Sequence, residues 1–157
     1  MKKIYQLTAI LMFVCITTYA WPRKGERLDL PYRTAIGARF SPLGASLKIN
    51  SLYRKRSTEF IGYFSDGFVG SVLYYWNFTL DKNAAFRLYV GGGAQAGYKK
   101  QDGSDDAFGG AVGVVGLDYK IPKVPINISA DWQPAYRFGD VEGFNGNYGG
   151  LAVRLCF

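Results

Sequence analysis

The stretch INISADWQPAYRF, residues 126–138, alternates apolar and polar side chains along its whole length. One face carries Ile126, Ile128, Ala130, Trp132, Pro134, Tyr136 and Phe138, and the other carries Asn127, Ser129, Asp131, Gln133, Ala135 and Arg137. A period of two predicts a β-strand. Strands in soluble sheets usually have about five or six residues, whereas a longer tilted strand is needed to cross an apolar band about 25 Å tall. The stretch therefore predicts a strand that spans a membrane.

Seven further segments show the same alternation, and turn-forming residues separate them. The last segment sets Leu151, Val153, Leu155 and Phe157 against Gly150, Ala152, Arg154 and Cys156. The others lie at 33–40, 46–50, 58–64, 68–80, 86–99 and 108–121, with turns predicted at 41–44, 53–57, 65–67, 81–84, 101–107, 122–125 and 139–146. The sequence thus predicts an all-β fold, an eight-stranded antiparallel transmembrane up-and-down β-barrel.

The N-terminal residues have the three parts of a secretory signal peptide. Met1 to Lys3 is basic, Ile4 to Ile16 is mostly apolar, and Thr18-Tyr19-Ala20 supplies a cleavage site. We expect a signal peptide at 1–20 that is cleaved near Ala20, a short periplasmic segment at 21–31, and the barrel at 32–157. The alternatives are a membrane anchor or a lipoprotein signal cut before Cys15, although Met12-Phe13-Val14 lacks the small residue that such a cut requires.

Alternation alone does not say whether the apolar face points into the barrel or out of it. Aromatic residues, however, fall mostly toward strand ends on the apolar face, which is typical of the aromatic girdles of membrane barrels. The predicted girdle comprises Tyr32, Phe40, Tyr74, Trp76, Phe78, Tyr98, Tyr119, Trp132, Tyr136 and Phe138. With both termini in the periplasm, the acidic loops around Asp102, Asp105, Asp106, Asp140 and Glu142 would face outward.

The polar face carries charges of both signs among small residues. These charged residues are Arg33, Arg39, Lys48, Glu59, Arg87, Asp118, Asp131, Arg137 and Arg154. Buried charges need partners, so we expect an ion-paired network that fills a narrow interior and leaves no wide pore. A functional charge relay along the same residues is the alternative.

Several segments resemble the small outer-membrane barrels of Gram-negative bacteria. They are Leu73-Tyr74-Tyr75-Trp76, Gly91-Gly92-Gly93-Ala94, the segments 115–120 and 125–135, and the terminal Phe157. The broad resemblance is to OmpA/OmpX-type barrels, and the closer one is to a group of short outer-membrane proteins without an assigned activity. The resemblance implies an outer-membrane location among lipid and lipopolysaccharide. It also implies that the assembly machinery reads the terminal strand, with Leu151, Val153, Leu155 and Phe157 as its signal.

Composition argues against several other functions. The formal net charge of +7 is only a weak nucleic-acid signal, because no recognised motif accompanies it. Arg54-Lys55-Arg56 is more simply a solvated turn, or a turn that contacts anionic headgroups. The chain has no histidine, so Ser-His and Asp-His catalytic arrangements cannot form. Asp118 and Asp131 would be left to do any acid-base chemistry.

We therefore expect a non-enzymatic outer-membrane protein with an envelope-structural or surface-interaction role, and no cofactor, metal site or nucleic-acid partner. The sequence does not specify its surface partner. Two alternatives stay open. One is an exported soluble barrel that binds an apolar ligand, and the other is an outer-membrane lipid-modifying enzyme.

Overall fold

The computed structural model describes residues 32–51, 55–65, 67–81, 85–101, 104–140 and 142–157. The predicted signal peptide and the segment 21–31 lie outside these residues. Within the described ranges, no helix has both the length and the apolar character needed to cross a membrane.

Ten antiparallel strands form one closed sheet. They are β1 (Thr34–Phe40), β2 (Gly44–Asn50), β3 (Arg56–Tyr63), β4 (Gly67–Thr79), β5 (Phe86–Gln101), β6 (Ser104–Lys120), β7 (Ile126–Trp132), β8 (Ala135–Gly139), β9 (Gly143–Asn145) and β10 (Gly149–Cys156). β10 pairs with β7 on one side and with β1 on the other, which closes the barrel. β6 pairs with both β7 and β8, which form one position in the wall. On their other side β7 pairs with β10 and β8 pairs with β9, so β9 and β10 also share one position, and the ten strands fill eight positions. The prediction of an eight-stranded antiparallel barrel is confirmed.

The predicted strand 126–138 is interrupted at Gln133 and Pro134. A proline has no N–H for the ladder, but Pro134 still accepts a hydrogen bond at 2.8 Å from the backbone N–H of Gly113 on β6. The backbone N–H of Gln133 turns to the carbonyl of Tyr148, also at 2.8 Å. Asn127, Ser129, Gln133, Ala135 and Arg137 are all buried, so the alternation of faces continues across the break.

The turn predicted at 101–107 is mostly strand instead. β5 and β6 pair from Phe86 and Tyr119 out to Gln101 and Ser104. The sequence pair Asp102-Gly103 is a two-residue hairpin signal, which favours a tight turn over a long loop. Lys99 and Asp106 face each other in the register, and opposite charges at such positions stabilise a strand pair. The pairing of β4 with β5 reaches only to Lys99, and the pairing of β8 with β6 reaches only to Phe108, so the last residue pairs of β5 and β6 lie beyond the neighbouring strands.

Polar side chains face the inside of the barrel and apolar side chains face the outside. The buried polar residues include Ser46, Lys48, Glu59, Asn77, Gln95, Asp118, Asn127 and Arg154. The exposed apolar residues include Ile36, Phe60, Val72, Leu117, Ile128, Val153 and Leu155. A buried apolar cluster completes the interior between β3, β4, β5, β6 and β8, with Ile61, Leu73, Val112 and Val114 among its members.

Candidate functional site: a charged network inside the barrel

Glu59 on β3 joins two arginines inside the barrel. Its Oε1 lies 2.5 Å from Nη2 of Arg154 on β10 and 3.3 Å from Nη1 of Arg39 on β1. Tyr75 on β4 donates its hydroxyl to Oε2 at 2.9 Å. All four residues are at most 1% exposed. One buried carboxylate serves two cations, so each arginine needs further acceptors.

Arg154 finds these acceptors on two other strands. Its Nε donates to Oγ of Ser46 on β2 at 2.8 Å. Its Nη1 donates to Oγ of Ser129 at 2.7 Å and to Oδ1 of Asn127 at 3.3 Å, both on β7. Because Nη2 donates to Glu59, every nitrogen of this guanidinium donates a hydrogen bond. Arg154 thereby ties strands together across the barrel lumen.

Arg39 finds its second acceptor in Asp131. Nη2 of Arg39 lies 2.5 Å from Oδ1 of Asp131. Tyr89 donates its hydroxyl to Oδ2 of Asp131 at 2.7 Å, and Gln133 donates Nε2 to Oδ1 at 2.9 Å. Tyr63 in turn donates to Oε1 of Gln133 at 2.8 Å. The network around Glu59 therefore continues through Asp131 without a break.

Asp118 on β6 is the centre of a second cluster. It is ion-paired with Arg87 on β5, and its Oδ2 lies 3.1 Å from Nζ of Lys48 on β2. Asn127 donates Nδ2 to Oδ1 at 2.6 Å, and Tyr32 donates its hydroxyl to Oδ2 at 3.2 Å. Since Asn127 also contacts Arg154, the two clusters are connected.

Lys48 is held by aromatic rings as well as by its ion pair. Its Nζ lies 5.2 Å and 5.3 Å from the ring centroids of Tyr89 and Tyr75, within the range of cation–π attraction. The contact with Asp118 is close enough for an ion pair, but within the described ranges Nζ has no partner in hydrogen-bonding orientation. The tyrosines therefore contribute ring faces to Lys48 and hydroxyl groups to the carboxylates.

Arg137 is buried in a different way. Among the described residues it makes no ion pair. Its guanidinium carbon lies 4.4 Å from the ring centroid of Phe108 and 4.9 Å from that of Tyr148. Its Nε and Nη2, together with Oγ of Ser71 and Nε2 of Gln95, have no hydrogen-bond partner in the described part of the chain. Ring contacts thus replace carboxylates around this arginine.

Eight of the nine predicted interior charges have buried side chains. Arg33 is the exception, because it is exposed just before β1. Tyr32 differs from its prediction in the opposite direction, since it lies inside rather than outside. It was predicted in the outer girdle, but it is 5% exposed and bonded to Asp118 inside the barrel. Both errors have one cause. The regular strand begins only at Thr34, so the alternation of faces does not extend back to residues 32 and 33.

The other nine predicted girdle residues lie on the outer wall. Eight are exposed, namely Phe40, Tyr74, Phe78, Tyr98, Tyr119, Trp132, Tyr136 and Phe138, and Trp76 is half-buried. The predicted assembly signal also faces outward, with Leu151, Val153, Leu155 and Phe157 between 43% and 73% exposed. Its recognition by an assembly machinery stays a prediction.

The sequence reasoning missed the polar partners Tyr63, Tyr89, Asn127 and Gln133. Alternation placed Asn127 and Gln133 on the polar face, but it did not say which charge each would contact. Tyr89 lies between Leu88 and Val90 in an apolar run, so nothing in the sequence marks it as a hydrogen-bond donor to Asp131. The structure shows this contact because the register of β5 places Tyr89 on the inner face.

Chemically, the arrangement holds charge in fixed ion pairs. Each of the three buried carboxylates contacts an arginine and accepts a hydrogen bond from a tyrosine. Over the part of the chain that the structure describes, no three His, Cys, Asp or Glu side chains are grouped so as to hold a metal ion.

Comparisons with protein-family models, curated proteins and solved structures found no match to this chain.

Proposed function

We propose that this chain is an integral outer-membrane β-barrel protein, exported and cleaved near Ala20, with a non-enzymatic role in the envelope or at the cell surface. Outer-membrane lipid and lipopolysaccharide would surround it, and the assembly machinery would insert it. The observation that carries the proposal is the inverted barrel wall, which is apolar outside and charged inside.

The outer wall supports a lipid environment. Large apolar side chains are exposed on all eight positions of the wall, for example Ile36 at 52%, Val72 at 47%, Val153 at 43% and Leu155 at 53%. Soluble monomers rarely expose contiguous apolar patches above a few hundred Å². A hydrocarbon layer accommodates such a surface, because all backbone groups of a closed barrel are paired within the wall.

The interior argues against the alternative of a soluble barrel that carries an apolar ligand. Such a carrier needs an apolar cavity, whereas Arg39, Lys48, Arg87 and Arg154 are at most 1% exposed inside this barrel. An apolar ligand there would displace hydrogen-bonded charges, which is costly.

The network also favours a structural over a catalytic role. A general acid or base must reach the proton that it transfers, but Glu59, Asp118 and Asp131 already contact cations and tyrosine hydroxyls. The ion pairs join different strands across the interior beside the buried apolar cluster, which is what a structural role requires.

Cell fractionation with a gel of unheated and boiled samples tests the location. We expect recovery in the outer membrane and a band whose mobility changes on boiling. Recovery as a soluble, monodisperse periplasmic protein without detergent would overturn the proposal and favour the soluble carrier.

Deletion of the gene in its native host tests the envelope role. We expect increased sensitivity to detergents that is reversed by the wild-type gene. If detergent sensitivity is unchanged while adhesion to surfaces or host cells falls, the surface-interaction form of the proposal is the correct one. No change in either property would contradict both forms.

A further inference from the structure

The outer wall carries an apolar groove of about 650 Å³, a size within the range of ligand sites. Gly92 on β5 and Gly113 on β6 are directly paired and form its floor. Tyr74 and Trp76 on β4 form one side, and Pro134, Tyr136 and Phe144 form the other. The groove exists because the floor strands have no side chains at these outward positions while their neighbours carry rings.

The absence of a side chain at Gly113 is not required by packing. A Cβ built there would lie 3.6 Å from Cγ of Pro134 and 3.7 Å from its carbonyl oxygen, which are ordinary contacts. Gly92 on the same floor is different, because its Cβ would lie 2.9 Å from the carbonyl oxygen of Val112. Gly92 is thus needed for close strand approach, whereas Gly113 could carry a side chain, and its lack of one leaves the groove open.

A cation lies against the Tyr74 and Trp76 side of the groove. The guanidinium carbon of Arg56 is 5.9 Å from both ring centroids, and its Nη1 donates to the hydroxyl of Tyr74 at 3.1 Å. The exposed Lys55 precedes it. Nε1 of Trp76 has no hydrogen-bond partner among the residues that the structure describes, although a buried indole N–H usually has one. The Tyr74 and Trp76 side of the apolar groove therefore carries one cation, Arg56, and one indole N–H.

We propose that this groove binds one anionic phospholipid. An acyl chain lies over Gly92 and Gly113 between the aromatic walls, and the phosphate lies at Arg56. A lipid ester carbonyl becomes the acceptor for the Trp76 N–H once the indole turns toward it. This inference rests on the proposed membrane location.

The position of Arg56 indicates which membrane leaflet supplies the lipid. Arg56 begins β3 at the end of the barrel where β1 begins and β10 ends, the end assigned to the periplasmic side above. A phospholipid of that leaflet is therefore the occupant, and the phosphates of lipopolysaccharide, on the opposite side, are out of reach.

The test is native mass spectrometry of the detergent-purified mature barrel with phosphatidylglycerol, phosphatidylethanolamine of the same chains, and lipopolysaccharide as three separate probes. We expect wild type to retain phosphatidylglycerol about fivefold more than phosphatidylethanolamine, since one Lys or Arg near an anionic lipid contributes about 1 kcal/mol. Gly113→Leu should lose retention of both phospholipids, and Arg56→Gln should lose only the preference.

Matched controls separate the groove from the rest of the wall. Gly109→Leu adds the same side chain on β6 outside the groove, where a Cβ would make one ordinary contact, 3.9 Å from the carbonyl oxygen of Gln95. Arg33→Gln removes an exposed cation at the same barrel end. Both should behave as wild type. Ala111→Leu, which already has a Cβ in the groove lining, replaces Gly113→Leu if that variant does not fold.

Equal retention of both phospholipids by wild type, or unchanged retention in the groove-filling variants, would overturn the phospholipid assignment. Preferential retention of lipopolysaccharide would overturn it as well. Each protein is first checked for the heat-dependent gel shift. A wild-type chain without the shift contradicts the proposed function and this inference together, whereas a shifting chain without lipid preference contradicts this inference alone.

Discussion

Glu59 shows how single residues hold the barrel together. It is shared by Arg39 and Arg154, so Glu59→Gln keeps the size of the side chain but leaves two buried cations short of a counter-charge. Because uncompensated buried charge is strongly destabilising, we expect the free energy of unfolding to fall by about 3–5 kcal/mol. Urea unfolding in lipid vesicles, followed by tryptophan fluorescence, measures it. The exposed Glu142→Gln should change it by less than about 0.5 kcal/mol, and equal losses would contradict the network's structural role.

Tyr74 and Tyr75 are neighbours in sequence on opposite faces of β4. The hydroxyl of Tyr75 donates to buried Glu59, whereas that of Tyr74 contacts Arg56 outside. Tyr75→Phe should cost about 1.5–3 kcal/mol, the usual range for a hydrogen bond to a charged group. Tyr74→Phe should cost less than about 1 kcal/mol, measured in the same unfolding assay. A larger loss for Tyr74→Phe would reverse the assigned faces. The sequence predicted these faces by alternation, but it could not predict the hydrogen-bond partners, since those depend on strand register.

At the scale of elements, a substitution on β10 tests whether the outer wall faces lipid. Val153 lies near the middle of β10 and is 43% exposed. Val153→Arg should reduce stability in a bilayer by about 2–4 kcal/mol, because a charged side chain would face the apolar layer at that depth. Leu43→Arg, in the turn after β1 and 60% exposed, should have little effect. The fraction that folds into vesicles, read from the heat-dependent gel shift, measures both. Equal folding of the two variants would count against a lipid-facing β10.

The strand number and the faces of the strands were predictable because alternation extends over most of the wall. Three details were not. The pairing of β5 and β6 continues into the predicted loop at 101–107, Pro134 divides the strand predicted at 126–138, and the alternation ends at Thr34. In each case a local backbone feature sets the end of a strand, and the period of two does not predict it. These features are the hairpin signal at 102–103, the missing N–H of Pro134 and the first ladder pair at Thr34.

At the scale of the whole molecule, the filled lumen sets what can pass through it. Arg39, Arg87, Arg154, Tyr75 and Tyr89 are among the large side chains that are at most 1% exposed inside the eight-stranded wall. Their groups bond across the barrel between strands that are not neighbours, as Arg154 does with Glu59. A barrel of this strand number has an interior just wide enough for side chains. Solutes larger than water would have to break ion pairs to enter.

Liposomes that contain the folded protein should therefore not swell in an isotonic solution of a small sugar. A sixteen-stranded porin, whose larger barrel leaves an aqueous channel, is the positive control in the same assay. Glu59→Gln sharpens the test, because it loosens the network without removing any side-chain volume. If ion pairing alone closed the lumen, this variant would admit the sugar. If packed volume closes it, both proteins stay impermeable, which is the result that we expect. Swelling of wild-type liposomes at a rate near that of the porin would mean that the network opens in a bilayer.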